Sequence, residues 1–300
     1  MKATIINGAE IASTLREKIK ERAQKLTAKG ITPGLAVVLV GNDPASISYV
    51  TAKEKACEEN GIRSKEIRKS ETITEQELVA IIQELNTDPD IHGILVQLPL
   101  PKHIRESNII ETIIPEKDVD GFHPISLGRM MTSQQTFLPC TPHGVLEILK
   151  SIGASPAGKH VVIVGRSNIV GKPLGNMLLE KGPWGDATLT VCHSKTPDLG
   201  VFTRTADILI AAVGRAGLIT RDMVKPGAVV IDVGVNRVAD ESKKSGFRLV
   251  GDVDFEGVLE VASAITPVPR GVGPLTITML LHNTVDAAQI CLENRIQHAR

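Results

Sequence analysis

Apolar residues recur along the first part of the chain with two different periods. In residues 9–29 they fall three and four positions apart, with lysines and glutamates between them, which predicts an amphipathic helix that ends at Gly30. Residues 35–40 are continuously apolar and half of them are β-branched, which is typical of a strand buried on both faces. Asp43 and Pro44 then resemble the N-cap and first residue of a second helix, which we expect to run as far as residue 61.

Strands and helices continue to alternate over the rest of the chain. We predict a helix across residues 78–85, a strand at 93–97, and loops with short helices over 99–139. Four more strands are predicted by the apolar runs at 160–164, 187–192, 207–213 and 228–233. The alternation indicates an α/β fold in two domains that meet near residue 140, the second of them doubly wound and Rossmann-like.

Composition narrows the class of partner and the compartment. Lysine plus arginine equals aspartate plus glutamate, at 34 each, so the net charge favours neither nucleic acid nor an anionic membrane as a partner. No apolar run approaches the roughly 20 residues that span a bilayer, and we see no export signal. The four cysteines are widely spaced, which argues against zinc or disulfides and favours a reducing cytoplasm. We expect a small-molecule ligand and no metal.

The strand at 160–164 runs directly into a glycine-containing turn and then into an apolar helix pattern. Gly165, Gly171 and Gly175 punctuate this turn. Backbone amides at such a turn, together with a helix N-terminus, favour a phosphate group. The spacing is neither that of a G-x-G-x-x-G fingerprint nor that of a P-loop, so a nucleotide site and a purely structural glycine turn remain equal alternatives.

The next strand bears on the choice of nucleotide. Sites for NAD usually have a carboxylate at the end of this strand, whereas here it ends in Cys192 followed by His193, Ser194 and Lys195. The absence of a carboxylate suits a 2′-phosphate. Arg166 and Lys195 are available cations and Ser194 is a donor, although solvated loop residues would have the same composition.

Several reactive side chains are predicted at one sheet edge of the first domain. Tyr49 and Lys53 are four residues apart on a helix that follows a strand, and Gln97 closes another strand. In the loop that contains Asp118 and Asp120, one carboxylate is expected to face a ligand while the other caps the backbone. Each residue also has an ordinary structural explanation, but their convergence favours metal-independent chemistry that uses lysine and tyrosine.

At these residues the chain resembles the bifunctional methylenetetrahydrofolate dehydrogenase/cyclohydrolase family over essentially its whole length. Five ordered motifs carry the resemblance: YVTAKEKA at 49–56, GILVQLPLP at 93–101, PEKDVDG at 115–121, GRSNIVG at 165–171 and TPVP at 266–269. The resemblance implies an enzyme that oxidises 5,10-methylenetetrahydrofolate with NADP and then hydrolyses the 5,10-methenyl product to 10-formyltetrahydrofolate. It also implies a homodimer.

The resemblance assigns residues to two sites. It implies a reduced-folate site in the cleft between the domains, with Lys53 central to catalysis, Tyr49 and Gln97 beside it, and Asp120 holding the pterin. The residues it implies for the NADP site are Gly165, Arg166, Ser167, Ser194 and Val235, and those for a substrate loop are Pro269, Gly271, Gly273 and Pro274. It gives a folate-binding catalytic domain of residues 1–139, to which a C-terminal helix at 275–300 returns, and an NADP-binding domain of residues 140–274.

Two departures from the family pattern and two rival functions stay open at this point. Arg270 stands where the family usually has glycine, so the loop either changes shape or offers a cation to the glutamate tail of the substrate. Residues 181–186 form a longer connection than the family usually has, which affects cofactor or dimer contacts. The rivals are a shikimate-type NADP dehydrogenase and a catalytically silent NADP-binding protein.

Overall fold

The computed structural model describes residues 2–243 and 246–298, which form two compact units. The first unit comprises Thr14–Cys140 and the chain from Ile277 onward, and the second comprises residues up to Ser13 and Thr141–Thr276. The strands are β1 (Thr4–Ile5), β2 (Gly34–Val40), β3 (Arg63–Lys69), β4 (Gly93–Val96), β5 (His160–Val164), β6 (Thr188–Cys192), β7 (Ile208–Ala211), β8 (Val229–Asp232), β9 (Asn236–Ala239), β10 (Phe247–Val250) and β11 (Ala264–Ile265). The helices are α1 (Gly8–Ala28), α2 (Pro44–Glu59), α3 (Glu75–Thr87), α4 (Glu106–Thr112), α5 (Pro124–Met131), α6 (Cys140–Ser151), α7 (Gly171–Leu179), α8 (Leu199–Thr203), α9 (Phe255–Leu259) and α10 (Gly273–His298).

A three-stranded parallel sheet forms the centre of the first unit, in the order β3-β2-β4. All seven residues of β2 are buried, because helices cover both faces of the sheet. Leu35, Val37 and Leu39 pack in a core with residues of α1, α2 and α10. The alternate residues of β2 pack in a second core with α3 and α4, as expected when successive side chains point to opposite faces.

Helix α2, which carries two of the predicted substrate residues, begins directly after β2. The carboxylate of Asp43 accepts a hydrogen bond from the amide of Ser46 at 2.8 Å, and Pro44 occupies the first turn. Both signals were read from the sequence, and the predicted helix is confirmed. Strand β3 was not predicted, because Arg63–Lys69 is mostly charged and lies at the sheet edge.

The second unit contains a six-stranded parallel sheet in the order β1-β11-β8-β7-β5-β6. Its buried strands confirm the predicted doubly wound α/β half. The sequence places residues 1–13 in the first domain, whereas the contacts of the described residues in this range group them with the second unit. Strand β1 pairs with β11, with Thr4 opposite Ala264, and so the N-terminus belongs to the second unit. A strand of two residues has too little periodicity to be recognised in a sequence.

A hairpin and a long terminal helix complete the description of the chain. Strands β9 and β10 form an antiparallel hairpin directly after β8, which the sequence analysis missed. Helix α10 begins at Gly273, and from Ile277 onward it belongs to the first unit. Within residues 2–243 and 246–298, no helix combines the length and apolarity needed to cross a membrane.

Candidate active site

Lys53 and Gln97 meet at the carboxyl edge of the sheet in the first unit. Lys53 lies on α2, which follows β2, and Gln97 follows the neighbouring strand β4. The Lys53 Nζ donates to Gln97 Oε1 at 2.9 Å, and Gln97 Nε2 donates to the carbonyl of Leu98 at 2.7 Å. Because the backbone carbonyl fixes the orientation of the amide, the amide oxygen is presented to the lysine.

The environment of Lys53 favours a neutral amine. The side chain is only 9% exposed, and this burial lowers the pKa of Lys53 below its ordinary value. The negative charge of Asp120 opposes the change, since it favours the ammonium form. Burial in turn raises the pKa of Asp120, and the positive charge of Lys53 opposes that rise. The charges of Lys53 and Asp120 therefore each act on the pKa of the other residue.

Tyr49 is brought to the same helix but not into this hydrogen-bonded group. It lies one turn before Lys53 on α2, and its side chain is 44% exposed. Among the described residues, no hydrogen bond joins it to Lys53 or Gln97. A phenol in that position is available to a ligand that approaches the exposed end of α2.

The loop that carries Asp120 is held by Asp118, as the sequence predicted, and by Asn283, which the sequence did not reveal. The buried carboxylate of Asp118 accepts hydrogen bonds from the amides of Phe122 and His123 at 3.2 and 2.8 Å, which confirms that one carboxylate of the pair caps the backbone. Asn283 of α10 is 2% exposed. Its Nδ2 donates to the carbonyls of Val119 and Leu138, at 2.8 and 3.0 Å. Asn283 lies between His282 and Thr284 in the sequence, so no local pattern distinguished it.

The glycine turn of the second unit is a closely packed backbone structure. Gly165 has φ +128°, and a Cβ there would lie 2.2 Å from the carbonyl oxygen of Ala212. A Cβ on Gly171 would lie 2.1 Å from the carbonyl oxygen of Gly165. Side chains are therefore excluded at both positions, and the first turn of α7 lies against the end of β5.

The polar residues around this turn divide into those that build it and those that are exposed. The hydroxyl of Ser167 accepts from the amides of Val170 and Gly171 at 3.1 and 3.4 Å, so it supports the turn. Arg166 and Ser194 are exposed. Strand β6 ends at Cys192 and carries no carboxylate at that end.

Val235 lies in a short segment that is hydrogen-bonded to two buried aspartates. The sequence had not indicated a role for either aspartate. The side chain of Val235 is 45% exposed, whereas those of Asp232 and Asp252 are 3% and 0% exposed. Asp232 accepts a hydrogen bond from the Gly234 amide at 3.0 Å, and Asp252 accepts one from Asn236 Nδ2 at 2.9 Å. No side-chain pattern indicated these contacts, because most of their partners are backbone groups.

The predicted substrate loop keeps a conformation suited to glycine even where it carries arginine. Arg270 has φ +79° and is exposed, and the Val268-Pro269 peptide is cis. A Cβ on Gly271 would lie 2.4 Å from the carbonyl oxygen of Pro267, so the backbone is tightly packed there. Gly273 and Pro274 form the first turn of α10. Arg270 therefore adopts a left-handed backbone conformation that suits glycine, and it carries an exposed guanidinium.

Comparison with known proteins matches most of the chain to two domain types of one family. Residues 6–120 match the family model described as tetrahydrofolate dehydrogenase/cyclohydrolase, catalytic domain. Residues 139–292 match the model for the NAD(P)-binding domain of the same family. A bifunctional protein FolD from Geobacillus thermodenitrificans is 64% identical over 289 residues, which are 96% of this chain and 98% of that protein.

Solved structures show the same similarity. The bifunctional FolD enzyme of Campylobacter jejuni superposes with a TM-score of 0.90 at 51% identity, covering 96% of this chain and 99% of that one. A Trypanosoma brucei methylenetetrahydrofolate dehydrogenase-cyclohydrolase, solved with NADP and an inhibitor, gives a TM-score of 0.93 at 38% identity, with 97% and 99% covered.

Proposed function

We propose roles for individual residues from the premise that this chain belongs to the tetrahydrofolate dehydrogenase/cyclohydrolase family. It is an NADP-dependent methylenetetrahydrofolate dehydrogenase and a methenyltetrahydrofolate cyclohydrolase. It oxidises 5,10-methylenetetrahydrofolate to the methenyl cation and hydrolyses that cation to 10-formyltetrahydrofolate. The family assignment excludes both rivals considered above, the shikimate-type dehydrogenase and the catalytically silent protein.

The reduced folate is proposed to bind the first unit and NADP the second. Tyr49, Lys53, Gln97 and Asp120 all belong to the first unit, which supports a folate-binding catalytic domain there. The proposed NADP ligands Gly165, Arg166, Ser167, Ser194 and Val235 all belong to the second unit. We propose domain boundaries that follow the contacts of the two units, in which the residues up to Ser13 group with the NADP-binding domain although residues 6–13 lie within the catalytic-domain family match. The chain from residue 277 goes with the catalytic domain.

The buried hydrogen bond between Lys53 and Gln97 is the observation on which the catalytic proposal rests. A lysine that is neutral at neutral pH can take a proton from water, which an ordinary ammonium cannot do. Burial lowers the pKa of Lys53 in that direction, and a cationic methenyl substrate beside it would lower the pKa further. Gln97 orients the amine, because its amide is itself fixed by the Leu98 carbonyl.

In hydrolysis, Lys53 acts as both base and acid. Water adds to the methenyl carbon while one of its protons passes to the Lys53 amine. Lysine then returns this proton to N5 of the pterin as the bond between that carbon and N5 breaks. The remaining hydroxyl proton leaves to solvent as the formyl C=O forms on N10, so one proton is released overall. Asp120 holds the pterin by accepting from its N–H groups with two carboxylate oxygens.

Dehydrogenation needs less from these side chains. The N10 and N5 lone pairs stabilise the cation that remains when hydride leaves the methylene carbon, so no side-chain base is required and positioning supplies much of the rate. NADP supplies the hydride acceptor when bound. The second unit fits this cofactor, because β5 leads through a glycine turn into the N-terminus of α7 and β6 ends without a carboxylate.

The test of the catalytic proposal is Lys53→Met, which removes the titrating amine and keeps a similar bulk. We expect the cyclohydrolase rate to fall at least about a hundredfold, the low end of general acid–base contributions, with part of the dehydrogenase rate retained. Lys55→Met is the matched control, because Lys55 lies on the same helix and is exposed. Near-normal methenyl hydrolysis in a folded Lys53→Met protein would show that another group performs the proton transfer.

The cofactor proposal is tested at Arg166, which is exposed beside the glycine turn. A guanidinium paired with the 2′-phosphate distinguishes NADP from NAD. Replacing Arg166 with alanine should weaken NADP binding by on the order of 1–3 kcal/mol, the value of a charge-assisted contact, and should change NAD binding little. An equal loss for both dinucleotides would remove Arg166 from the 2′-phosphate site.

A homodimer is also part of the proposal. Strand β6 ends the six-stranded sheet among the described residues, and Val191 on it is 39% exposed. Helix α8 contacts β6, and its residues Val201 and Phe202 are 50% and 37% exposed. Exposed apolar residues beside an edge strand are typical of subunit contacts. Light scattering should give twice the chain mass, and Phe202→Lys should reduce it if this edge forms the contact.

We place the enzyme in the cytoplasm. The four cysteines are free thiols, and three of them are buried, which suits a reducing compartment. Fractionation of cells that express the chain, followed by immunodetection, would test this location. Recovery in an exported or membrane fraction would contradict it.

A further inference from the structure

We propose that Asp252 is a positioning residue for the cofactor, whose single carboxylate holds the loops after β7 and β8 in the shape that binds NADP. The inference rests on the proposed cofactor site and adds to it a residue that does not touch the cofactor. Asp252 follows β10 and is fully buried, yet both of its carboxylate oxygens are used. Four donors reach them, three from the loop after β7 and one from the segment after β8.

The loop after β7 is bound entirely through its backbone. Asp252 Oδ2 accepts from the amides of Val213 and Gly214 at 2.6 and 3.0 Å, and Oδ1 accepts from the amide of Arg215 at 2.8 Å. Three successive amides directed at one carboxylate fix the path of the loop, since buried N–H groups must be paired. The carboxylate therefore holds the backbone of the loop in place at three successive residues.

This loop adjoins the glycine turn of the proposed cofactor site. Ala212, the residue immediately before the bound amides, donates its amide to the Val164 carbonyl at 2.8 Å. A Cβ on Gly165 would also lie only 2.2 Å from the Ala212 carbonyl oxygen. A shift of the loop would thus move the backbone against which the turn packs.

The same carboxylate reaches Val235 from the other direction. Asp252 Oδ1 accepts from Nδ2 of Asn236, the residue after Val235, at 2.9 Å. On the other side of Val235, the Gly234 amide donates to Asp232, which also accepts from the Asp252 amide at 2.9 Å. A Cβ on Gly234 would lie 2.2 Å from the Asp252 carboxylate. The residues on both sides of Val235 are therefore hydrogen-bonded to Asp232 or Asp252.

An amide cannot replace the carboxylate at this position. Each oxygen of Asp252 accepts two hydrogen bonds, whereas asparagine has one oxygen and one NH2 group. Whichever way the amide is turned, two of the four N–H donors face another N–H donor. Asp252→Asn should thus displace at least one of the two loops while almost preserving the volume of the side chain.

The experiment measures cofactor and folate functions separately in the full-length protein. Asp252→Asn is titrated with NADPH by fluorescence, and both enzymatic rates are determined. We expect the NADPH dissociation constant and the KM for NADP to rise at least about tenfold, as for a lost charge-assisted interaction. The cyclohydrolase kcat/KM should stay within about twofold of the wild type, because methenyl hydrolysis uses no dinucleotide. Asp222→Asn, at an exposed aspartate of the same unit, is the control.

Each outcome decides the inference. A parallel fall in both activities, in proportion to a loss of folded protein, would make Asp252 merely structural, and unchanged NADPH binding in a folded variant would overturn its role outright. If Asp252→Asn does not fold, Asn236→Ala decides, because it removes only the contact beside Val235. A threefold or larger rise in the NADPH dissociation constant then supports the inference, and no change overturns it.

The proposed cofactor site can fail separately from this inference. If Arg166→Ala weakens NADPH binding and Asp252→Asn does not, the site stands and only the positioning role is wrong. If Arg166→Ala leaves NADPH binding unchanged while Asp252→Asn weakens it, Arg166 is removed from the cofactor site and the positioning role stands. If neither variant changes NADPH binding, both proposals fail.

Discussion

Acidification should destabilise the first unit through one buried histidine, His92. The side chain is 6% exposed, and its Nδ1 accepts a hydrogen bond from the Gly34 amide at 3.1 Å. Burial, and then the charge of Lys117, lowers the pKa of His92 to about 4 from 6.5. The folded state therefore holds a neutral imidazole. The protonated form cannot keep the bond to Gly34, because both ring nitrogens are then donors.

The fall in the pKa of His92 from 6.5 to about 4 sets the size of the loss in stability. Because the folded pKa lies below the unfolded value, the stabilisation is complete above about pH 6.5 and is lost as the pH falls toward about 4. Integrating between about pH 7 and about pH 5 gives a loss of roughly 2 kcal/mol from this residue, with about 3 kcal/mol lost in total.

The perturbation that isolates this effect is His92→Asn, since an asparagine oxygen can accept from Gly34 but does not titrate. Buried carboxyl groups act in the opposite direction: burial raises the pKa of Asp118 to about 6 and that of Asp232 to about 7. Both take up protons in the folded state as the pH falls, which adds stability. They are present in both proteins, so only the difference between wild type and variant reports on His92.

The assay is urea unfolding, followed by circular dichroism at about pH 7 and about pH 5. The variant should lose roughly 2 kcal/mol less than the wild type between these two conditions. His103→Asn, at an exposed histidine, controls for the general effect of the substitution. An equal pH dependence in wild type and His92→Asn would refute the reasoning, because it would mean that His92 is not held neutral in the folded protein.

Three further predictions concern other parts of the structure. Asn283→Leu removes the amide that donates to the Val119 and Leu138 carbonyls, although the Val119 carbonyl keeps the Cys140 thiol as a donor. Stability should therefore fall by roughly 1–3 kcal/mol in urea unfolding and the KM for folate should rise, whereas an unchanged KM would separate α10 from the folate site. Gly171→Ala places a methyl group 2.1 Å from the Gly165 carbonyl oxygen, so the glycine turn must shift. NADPH titration should then show at least about tenfold weaker binding, while the rate of methenyl hydrolysis is retained. Arg270→Gly relieves a residue at φ +79° and should raise stability by about 1 kcal/mol; a lower melting temperature would mean that the guanidinium makes compensating contacts.

The elements predicted from the sequence were those whose cause is local. The buried strand β2 was recognisable from its uninterrupted apolar run, and α2 from Asp43 and Pro44 at its start. Strand β3 was not predicted, because its composition is charged and pairing with β2 along seven residues holds it in the sheet. Tertiary pairing overrides β propensity at an edge strand, and no local pattern records it.

The candidate site divides in the same way. Lys53 was predicted on a helix that follows a strand, Gln97 at a strand end and Asp120 in a loop, and the direct bond between Lys53 and Gln97 was then found in the structure. Tyr49 was predicted one turn before Lys53 on the same helix, and its side chain is 44% exposed. Spacing on a helix fixes which face a residue occupies, whereas the depth at which it lies depends on the packing of neighbouring elements.

The residues that hold the reactive ones were not predictable, because their partners are main-chain atoms distant in sequence. Asn283 binds carbonyls that lie 164 and 145 positions earlier, and Asp252 binds the amides of residues 213–215. Every residue has a carbonyl and nearly every residue an amide, so such a partner leaves no mark in the sequence. Burying the polar group is costly unless these bonds form, which makes each contact a firm constraint on the loop it holds. In this enzyme, therefore, buried polar side chains bonded to loop backbone are where further determinants of folate and NADP binding should be sought.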